Sequence, residues 1–451
     1  MPVYALFDVG STYTKGLIVN TDQGRILASG SAFTTAQTDI IEGIERVKSI
    51  MRDQVGDLII DQTRVCSSAK GGLKMIAIGL VPDLTLKAAT LACYSAGAKV
   101  VGTYAFELNQ SEVLDIQNAQ CDILLLSGGT DGGNTEVVLH NARMIAALKP
   151  VFPVIYAGNK SCQDEIKAIF ASGGWDLLVC DNVMPDYGQL QVEACRELIR
   201  QLFLKTIVKA KGLSQLSSLI GDIVLPTPLS VMEALSLLSK GTPNEPGWGD
   251  LMAIDIGGAT TDVYSMNSTF VLHTNAGYKG LQEPLEKRSV EGDLGVRFSA
   301  AHVAGHMKED PLMDESMKAY LERLHDDPHT LADPQKDTIL AKWCTALSTQ
   351  RHAGRLETAY SPMGVTTYQS GKDLSLVQTI IGIGGPLIHS DHPKEILNQA
   401  LVKADHPEIL LPHHLMSFLD RHYVISCLGL LAQSHPELVL RLLKQHLEKL
   451  L

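Results

Sequence analysis

Aromatic residues, basic charge, long apolar runs and paired cysteines are all scarce in this sequence, and each shortage excludes something. Aromatics make up 5% of the 451 residues and acidic side chains outnumber basic ones 50 to 38. A nucleic-acid binder needs stacking platforms and a cationic face, so that class is not expected. No run of eighteen apolar residues offers a membrane span. The opening MPVYALFDVG lacks a basic stretch followed by a cleavage site. A soluble, cytoplasmic protein is the expectation. The eight cysteines are scattered without a CxxC pair, mostly in apolar runs such as AQCDILLLSGG and DLLVCDN. That setting predicts buried, reduced thiols rather than a metal or redox centre.

What is present is a strand–turn motif that occurs twice. Leu251 to Ile256 reads as a buried strand, followed by Gly257-Gly258-Ala259-Thr260-Thr261-Asp262 and a second β run. Glycines allow a turn in which backbone N–H groups approach a ligand closely. Carboxylates such as Asp255 suit a hydrated Mg²⁺ or an attacking water. The chain opens with a similar stretch, FDVGSTYTKG, carrying Asp8, Gly10, Ser11, Thr12 and Lys15. Two such hairpins facing each other across a cleft would hold a polyphosphate from both sides. A third Gly-rich turn, Gly382-Ile383-Gly384-Gly385-Pro386, lies in TIIGIGGPL (Thr379 to Leu387), where a strand runs into it, and would admit a ribose or purine.

The organisation in between is α/β. After a three-strand meander (Val3 to Phe33), DIIEGIERVKSIM predicts an amphipathic helix. From about Val100 to Val208, strands such as VVGTYAFEL, CDILLLSGG, FPVIYAGN and DLLVCDNV alternate with helices. This alternation predicts an inserted, doubly wound parallel subdomain. The expected boundaries are 1–98 for the first part of lobe I, 99–212 for the insert and 213–248 for a connecting helix. Residues 249–425 would form lobe II, with β runs at TFVLHTN and near Ser289 and then a long helical region through Gln350. Residues 426–451 would form a C-terminal helix.

The order of phosphate hairpin, phosphate hairpin and Gly-Gly turn resembles the actin-like ATPase superfamily of sugar kinases, actin and heat-shock chaperones. The resemblance implies a two-lobed fold of duplicated ribonuclease H-like lobes. It also implies ATP/ADP and Mg²⁺ as cofactors. Gly10, Ser11, Thr12 and Lys15 would touch the β/γ-phosphates, and Gly257, Gly258, Thr260 and Thr261 the γ-phosphate. Gly384 and Gly385 would receive the adenosine. Asp8 and Asp255 would bind Mg²⁺ through water or orient the attacking water, and Glu233 is a further metal candidate. Most of the chain, through FDVGSTYTKG, LLLSGGTDGGN, PVIYAGNK, DIGGATTDVYS, VEGDLGVR and IGGPLIHS in that order, is similar to one narrower group. These are the MutL/GlmL proteins encoded beside adenosylcobalamin-dependent glutamate (methylaspartate) mutase. That resemblance implies an accessory protein that uses ATP to reactivate a mutase by exchange of damaged cofactor.

Other motifs carry two readings each. His302 and His306 have the i,i+4 spacing of metal ligands, but Val303 stands where a zinc protease has Glu, so ordinary histidines fit as well. SGGTDGGN (127–134) sits where a strand gives way to a helix. It suits an anion or a tight turn, and no Gly-Lys-Ser/Thr follows it. Glu291, Asp293 and Arg297 either cap a helix or contact nucleotide. A small-molecule kinase or a non-catalytic scaffold remains the alternative to a slow ATPase.

Overall fold

The computed structural model describes residues 2–10, 13–34, 40–68, 73–203, 224–274, 276–307, 310–362 and 364–451. These fall into two compact units. The first contains Met1–Glu233, Gly280–Pro284 and Ser426–Leu431; the second contains Ala234–Lys279, Leu285–Ile425 and Ala432–Leu451.

In the first unit, Val3–Val9 (β1), Tyr13–Asn20 (β2) and Arg25–Phe33 (β3) form the antiparallel meander, and Gln62–Ser67 (β4) adds in parallel to β1. All seven residues of β1 are buried, as expected of a strand with neighbours on both sides and a helix behind it. Ile44, Val47 and Met51 of helix Ile40–Val55 are buried in the same core as Val3, Ala5 and Phe7. Each such side chain contributes roughly 1.5–3 kcal/mol on burial.

Lys74–Gly79 (β5), Lys99–Ala105 (β6), Ile123–Leu126 (β7), Val154–Tyr156 (β8) and Leu177–Val179 (β9) form a wholly parallel sheet in the order β6-β5-β7-β8-β9. Its helices are Lys87–Ser95, Gln110–Asn118, Glu136–Ala146, Gln163–Ser172 and Glu193–Leu202. This is the expected doubly wound insert, with one correction. Its sheet begins at Lys74 rather than after residue 98, because KMIAIG supplies the strand between β6 and β7. The chain returns as Val224–Pro226 (β10), which pairs with β4, and continues into helix Thr227–Lys240.

In the second unit the strands are Leu251–Ile256 (β11), Thr261–Met266 (β12), Ala276–Tyr278 (β13), Glu286–Glu291 (β14), Arg355–Ser361 (β15), Gly364–Ser370 (β16), Thr379–Ile383 (β17), Met416–Leu419 (β18) and Glu448–Lys449 (β19). Its main sheet has the order β14-β12-β11-β17-β18-β19, and the corresponding sheet of the first unit has the order β10-β4-β1-β2-β3. In both, an antiparallel three-strand meander is extended by two strands parallel to its first member. The chain therefore has the actin-like architecture: a ribonuclease H-like sheet in each unit, with a doubly wound sheet inserted in the first.

Three expectations need correction. TFVLHTN forms no strand over its described residues; the β run near it is β13. The long helical region is broken into Ala300–His306, Glu315–Asp326 and Pro334–His352. Asp314 and Asp333 each accept a backbone N–H at the start of the last two, and Pro334 is compatible only with a helix beginning there. The C-terminal segment is not one helix. Ser426–Leu431 belongs to the first unit, and helix Pro436–His446 of the second leads into β19 beside β18.

Candidate functional site

In the first hairpin, Asp8 and Lys15 are register partners across β1 and β2. Their side chains therefore share a face, with Lys15 Nζ 3.8 Å from Asp8 Oδ2. Asp8 is 2% exposed. Its Oδ1 accepts the Thr227 hydroxyl at 2.7 Å and lies 3.7 Å from the Cys66 thiol. Burial, then the neighbouring Asp8 charge, pushes that thiol's pKa up, so it stays protonated. The Gly10 N–H donates to the Tyr13 carbonyl at 3.0 Å. A Cβ on Gly10 would stand 2.7 Å from that oxygen, so the turn requires glycine. Ser11 and Thr12 lie outside the described residues.

In the second hairpin the corresponding register pair is Asp255 and Asp262, two carboxylates on one face of β11 and β12. Asp262 Oδ2 is 3.3 Å from the buried Arg288 guanidinium, and its Oδ1 is buried with no hydrogen-bond partner among the described residues. Although burial works against the Arg288 charge, the Asp262 carboxylate leaves its pKa above the usual value. Tyr264, on the same face, is pushed up by burial and then by Asp262.

The turn itself is closed by Gly257 N–H donating to the Thr260 carbonyl at 2.9 Å. The following loop holds it from the carbonyl side. Val296 N–H donates to Gly257, those of Arg297 and Phe298 donate to Gly258, and the Ser299 hydroxyl donates to Ala259. Among the described residues, no hydrogen bond takes up the N–H groups of Gly258, Ala259 or Thr260. A turn with its carbonyls tied down and three consecutive amides unengaged is a concavity suited to an anion. Thr261 is fully buried and its hydroxyl donates to the Leu294 carbonyl, so it braces the turn from behind.

The third turn meets the second hairpin directly, since β17 pairs in parallel with β11 and Asp255 is the partner of Ile383. Gly384 has φ +97°, and a Cβ there would stand 2.3 Å from the Ile256 carbonyl and 2.8 Å from Asp255 Oδ1. Only glycine lets this turn lie against the carboxylate. Gly385 opens the short helix Gly385–Ile388. A cavity of about 560 Å³ beyond it is lined by Ser390, His392, Lys394, Asn398 and Arg421, none of them on a hairpin.

The remaining candidates separate from this group. Thr227 faces Asp8, and Glu233, six positions on, points roughly 240° around the helix. There its charge raises the pKa of Arg200, whose largest support is Glu197. Glu291 and Asp293 both pair with Arg351 at 2.7 and 2.8 Å, and Arg297 pairs with Asp337 at 2.6 Å. The loop is thus strapped to helix Pro334–His352; Ser299, at the start of the next helix, makes no side-chain cap. His302 and His306 are exposed, and among the described residues no group of three or more His, Cys, Asp or Glu side chains is arranged to hold a metal. SGGTDGGN is anchored as a turn. The buried Asn159 accepts from Gly132 N–H and donates to the Gly133 carbonyl, while Asn182 donates to Gly129 and Asp131.

The sequence marked Asp255 and left Asp262 as a residue merely past the turn. Antiparallel register would have found it, because these two positions must oppose each other once the turn is closed. Nothing local points to Thr227, which meets Asp8 only through the parallel pairing of β10 with β4.

A family model described as MutL protein matches residues 4–447. The chain belongs to the MutL protein family. A curated member, Protein MutL of Clostridium tetanomorphum, is 42% identical over 461 aligned positions that span 100% of both chains. Among solved structures, xylulose kinase of Lactobacillus acidophilus aligns with 100% of this chain and 93% of its own at 12% identity and a TM-score of 0.35. A diol dehydratase-reactivating factor aligns with 97% of this chain and 100% of its own at 10% identity and a TM-score of 0.34. Among the described residues no helix is long and apolar enough to cross a membrane.

Proposed function

We propose that this chain binds Mg-ATP and hydrolyses it slowly, as an accessory protein that reactivates an adenosylcobalamin-dependent mutase of the glutamate mutase type. The observation that carries the ATPase reading is the second hairpin. Its unengaged amides suit a terminal phosphate, and its paired carboxylates fit a hydrated divalent cation, one of them with a buried oxygen that lacks a hydrogen-bond partner. Magnesium coordinates few protein groups and keeps its waters, so two facing carboxylates match it better than a three-ligand cage.

The roles follow from charge and position. Lys15 and the Gly10 turn, with Ser11 and Thr12, bind phosphate oxygens in the first unit. Gly257, Gly258, Ala259 and Thr260 hold the γ-phosphate, braced by Thr261, and the Gly384-Gly385 turn receives the adenosine. Asp255 and Asp262 are the residues of the second unit that would hold a magnesium ion, which when bound neutralises phosphate charge, and Asp8 is the metal candidate of the first unit. Asp255 orients the attacking water. Phosphoryl transfer to water requires alignment and charge stabilisation rather than a covalent intermediate. The mutase partner rests on the family resemblance alone.

The test is phosphate release from Mg-ATP by the purified protein, with and without sugars, glycerol and acetate. Slow release indifferent to every acceptor is the expected result. Transfer to one acceptor would make the protein a kinase, and the absence of any turnover with nucleotide bound would favour a scaffold.

A further inference from the structure

Asp8 is held by more than its hairpin. It is nearly fully buried, and its two oxygens are in different surroundings. Oδ1 faces inward, toward the Thr227 hydroxyl at 2.7 Å and the Cys66 thiol at 3.7 Å. Oδ2 faces Lys15, whose side chain is 21% exposed. Thr227 is the first residue of helix Thr227–Lys240, is itself 9% exposed and is positioned by β10. Cys66 is the register partner of Asp8 on β4, and its thiol is shared with the Phe7 and Ser426 carbonyls. Of the two donors the hydroxyl is therefore the stronger and the more specific.

We propose that Thr227 is the positioning residue of the first hairpin, fixing the Asp8 carboxylate so that Oδ1 is anchored and Oδ2 alone is presented toward Lys15 and the phosphate side. The inference rests on the ATPase reading above. A neutral donor here has a definite consequence: it satisfies one oxygen of a buried carboxylate without adding a second negative charge beside it. A carboxylate at the same place would repel Asp8. Thr227 touches neither phosphate nor metal in this assignment and acts only through Asp8.

The test compares Thr227→Val, Thr227→Ser and Thr227→Ala with the wild-type chain. A fluorescent ATP analogue is titrated in EDTA and again across a Mg²⁺ series, alongside the rate of phosphate release. A buried hydrogen bond to a charged group is strong enough to shift an equilibrium by about ten- to a hundredfold. Thr227→Val should raise the Mg²⁺ concentration giving half-maximal binding and turnover by about tenfold or more, with affinity in EDTA within about twofold of wild type. Thr227→Ser, which keeps the donor, should stay close to wild type. Thr227→Ala should follow the valine variant. A general packing defect would lower affinity with and without Mg²⁺ alike and would not separate Ser from Ala. If Thr227→Val does not fold, the Ser and Ala pair carries the comparison, and equal Mg²⁺ dependence of those two overturns the proposal. So does a valine variant with wild-type Mg²⁺ dependence against an active wild type, which leaves the ATPase reading intact. A wild-type chain that binds no nucleotide at any Mg²⁺ concentration overturns both.

Discussion

The two hairpins share one backbone plan and carry opposite charges at the position facing the strand-end aspartate. In the first, the residue opposite the aspartate is Lys15; in the second it is Asp262. The first pair is internally neutral. The second places two like charges face to face, which costs stability in a sheet unless something intervenes. Here Arg288 from β14 offsets part of it, and one Asp262 oxygen is left without a hydrogen bond. Duplicated folds can thus vary the handling of one charged ligand: each hairpin keeps an aspartate suited to the metal, while Lys15 adds a cation suited to phosphate oxygens in the first and Asp262 adds a second carboxylate suited to the metal in the second.

Breaking the second hairpin should have the largest effect. Asp255→Ala is expected to lower phosphate release at least about a hundredfold while nucleotide binding stays measurable, because a group that orients water acts mainly in the transition state. Unchanged turnover would remove Asp255 from that role. Breaking the first hairpin should act on binding instead. Lys15→Ala is expected to weaken ATP affinity by roughly ten- to a hundredfold, read by equilibrium titration. Equal affinity would mean that the first hairpin does not grip phosphate.

The contact between the third turn and the second hairpin sharpens the comparison further. At Gly384→Ala, the new Cβ meets the Ile256 carbonyl and Asp255 Oδ1, and the positive φ adds strain. A loss of about 1–3 kcal/mol in chemical denaturation is expected, with turnover reduced as Asp255 shifts. A variant as stable and active as wild type would show that the turn is loosely packed.

The smallest effect lies behind the acidic hairpin. His352 is buried between the hydroxyls of Ser289 and Ser265, and burial, then Lys287 and Lys372, holds its pKa well below the usual histidine range. The unfolded chain takes up a proton near pH ~6.5 that the folded chain refuses. Stability from the neutral ring is therefore fully present above that pH and is lost as pH falls below it, by up to about 1.4 kcal/mol per unit. Urea unfolding at about pH 7 and pH 5.5 should show the loss in wild type and less of it in His352→Gln; equal losses would point to other groups.

Much of this plan was legible in the sequence because it is local. Asp, Gly and small residues after an apolar run specify a strand and its turn within ten positions, and parallel strands of the insert such as Ile123–Leu126 are marked by apolar blocks. What was not legible depends on register or on distant pairing. The hairpin of β15 and β16, RLETAYS and GVTTYQS, escaped because both strands are largely exposed and lack an apolar alternation. The first strand of the insert was missed because its partners β6 and β7 lie on its two sides in space but both follow it in the chain. Thr227 acquires its role only when β10 joins β4.

The most direct test of the division of labour is the Mg²⁺ dependence of ATP affinity in Lys15→Ala, Asp255→Ala and the Asp255→Ala/Asp262→Ala double variant. The expected result is that Lys15→Ala binds more weakly with or without Mg²⁺, while the double variant retains affinity in EDTA and loses its gain from the metal. Identical Mg²⁺ dependence in the double variant and the wild type would contradict the account.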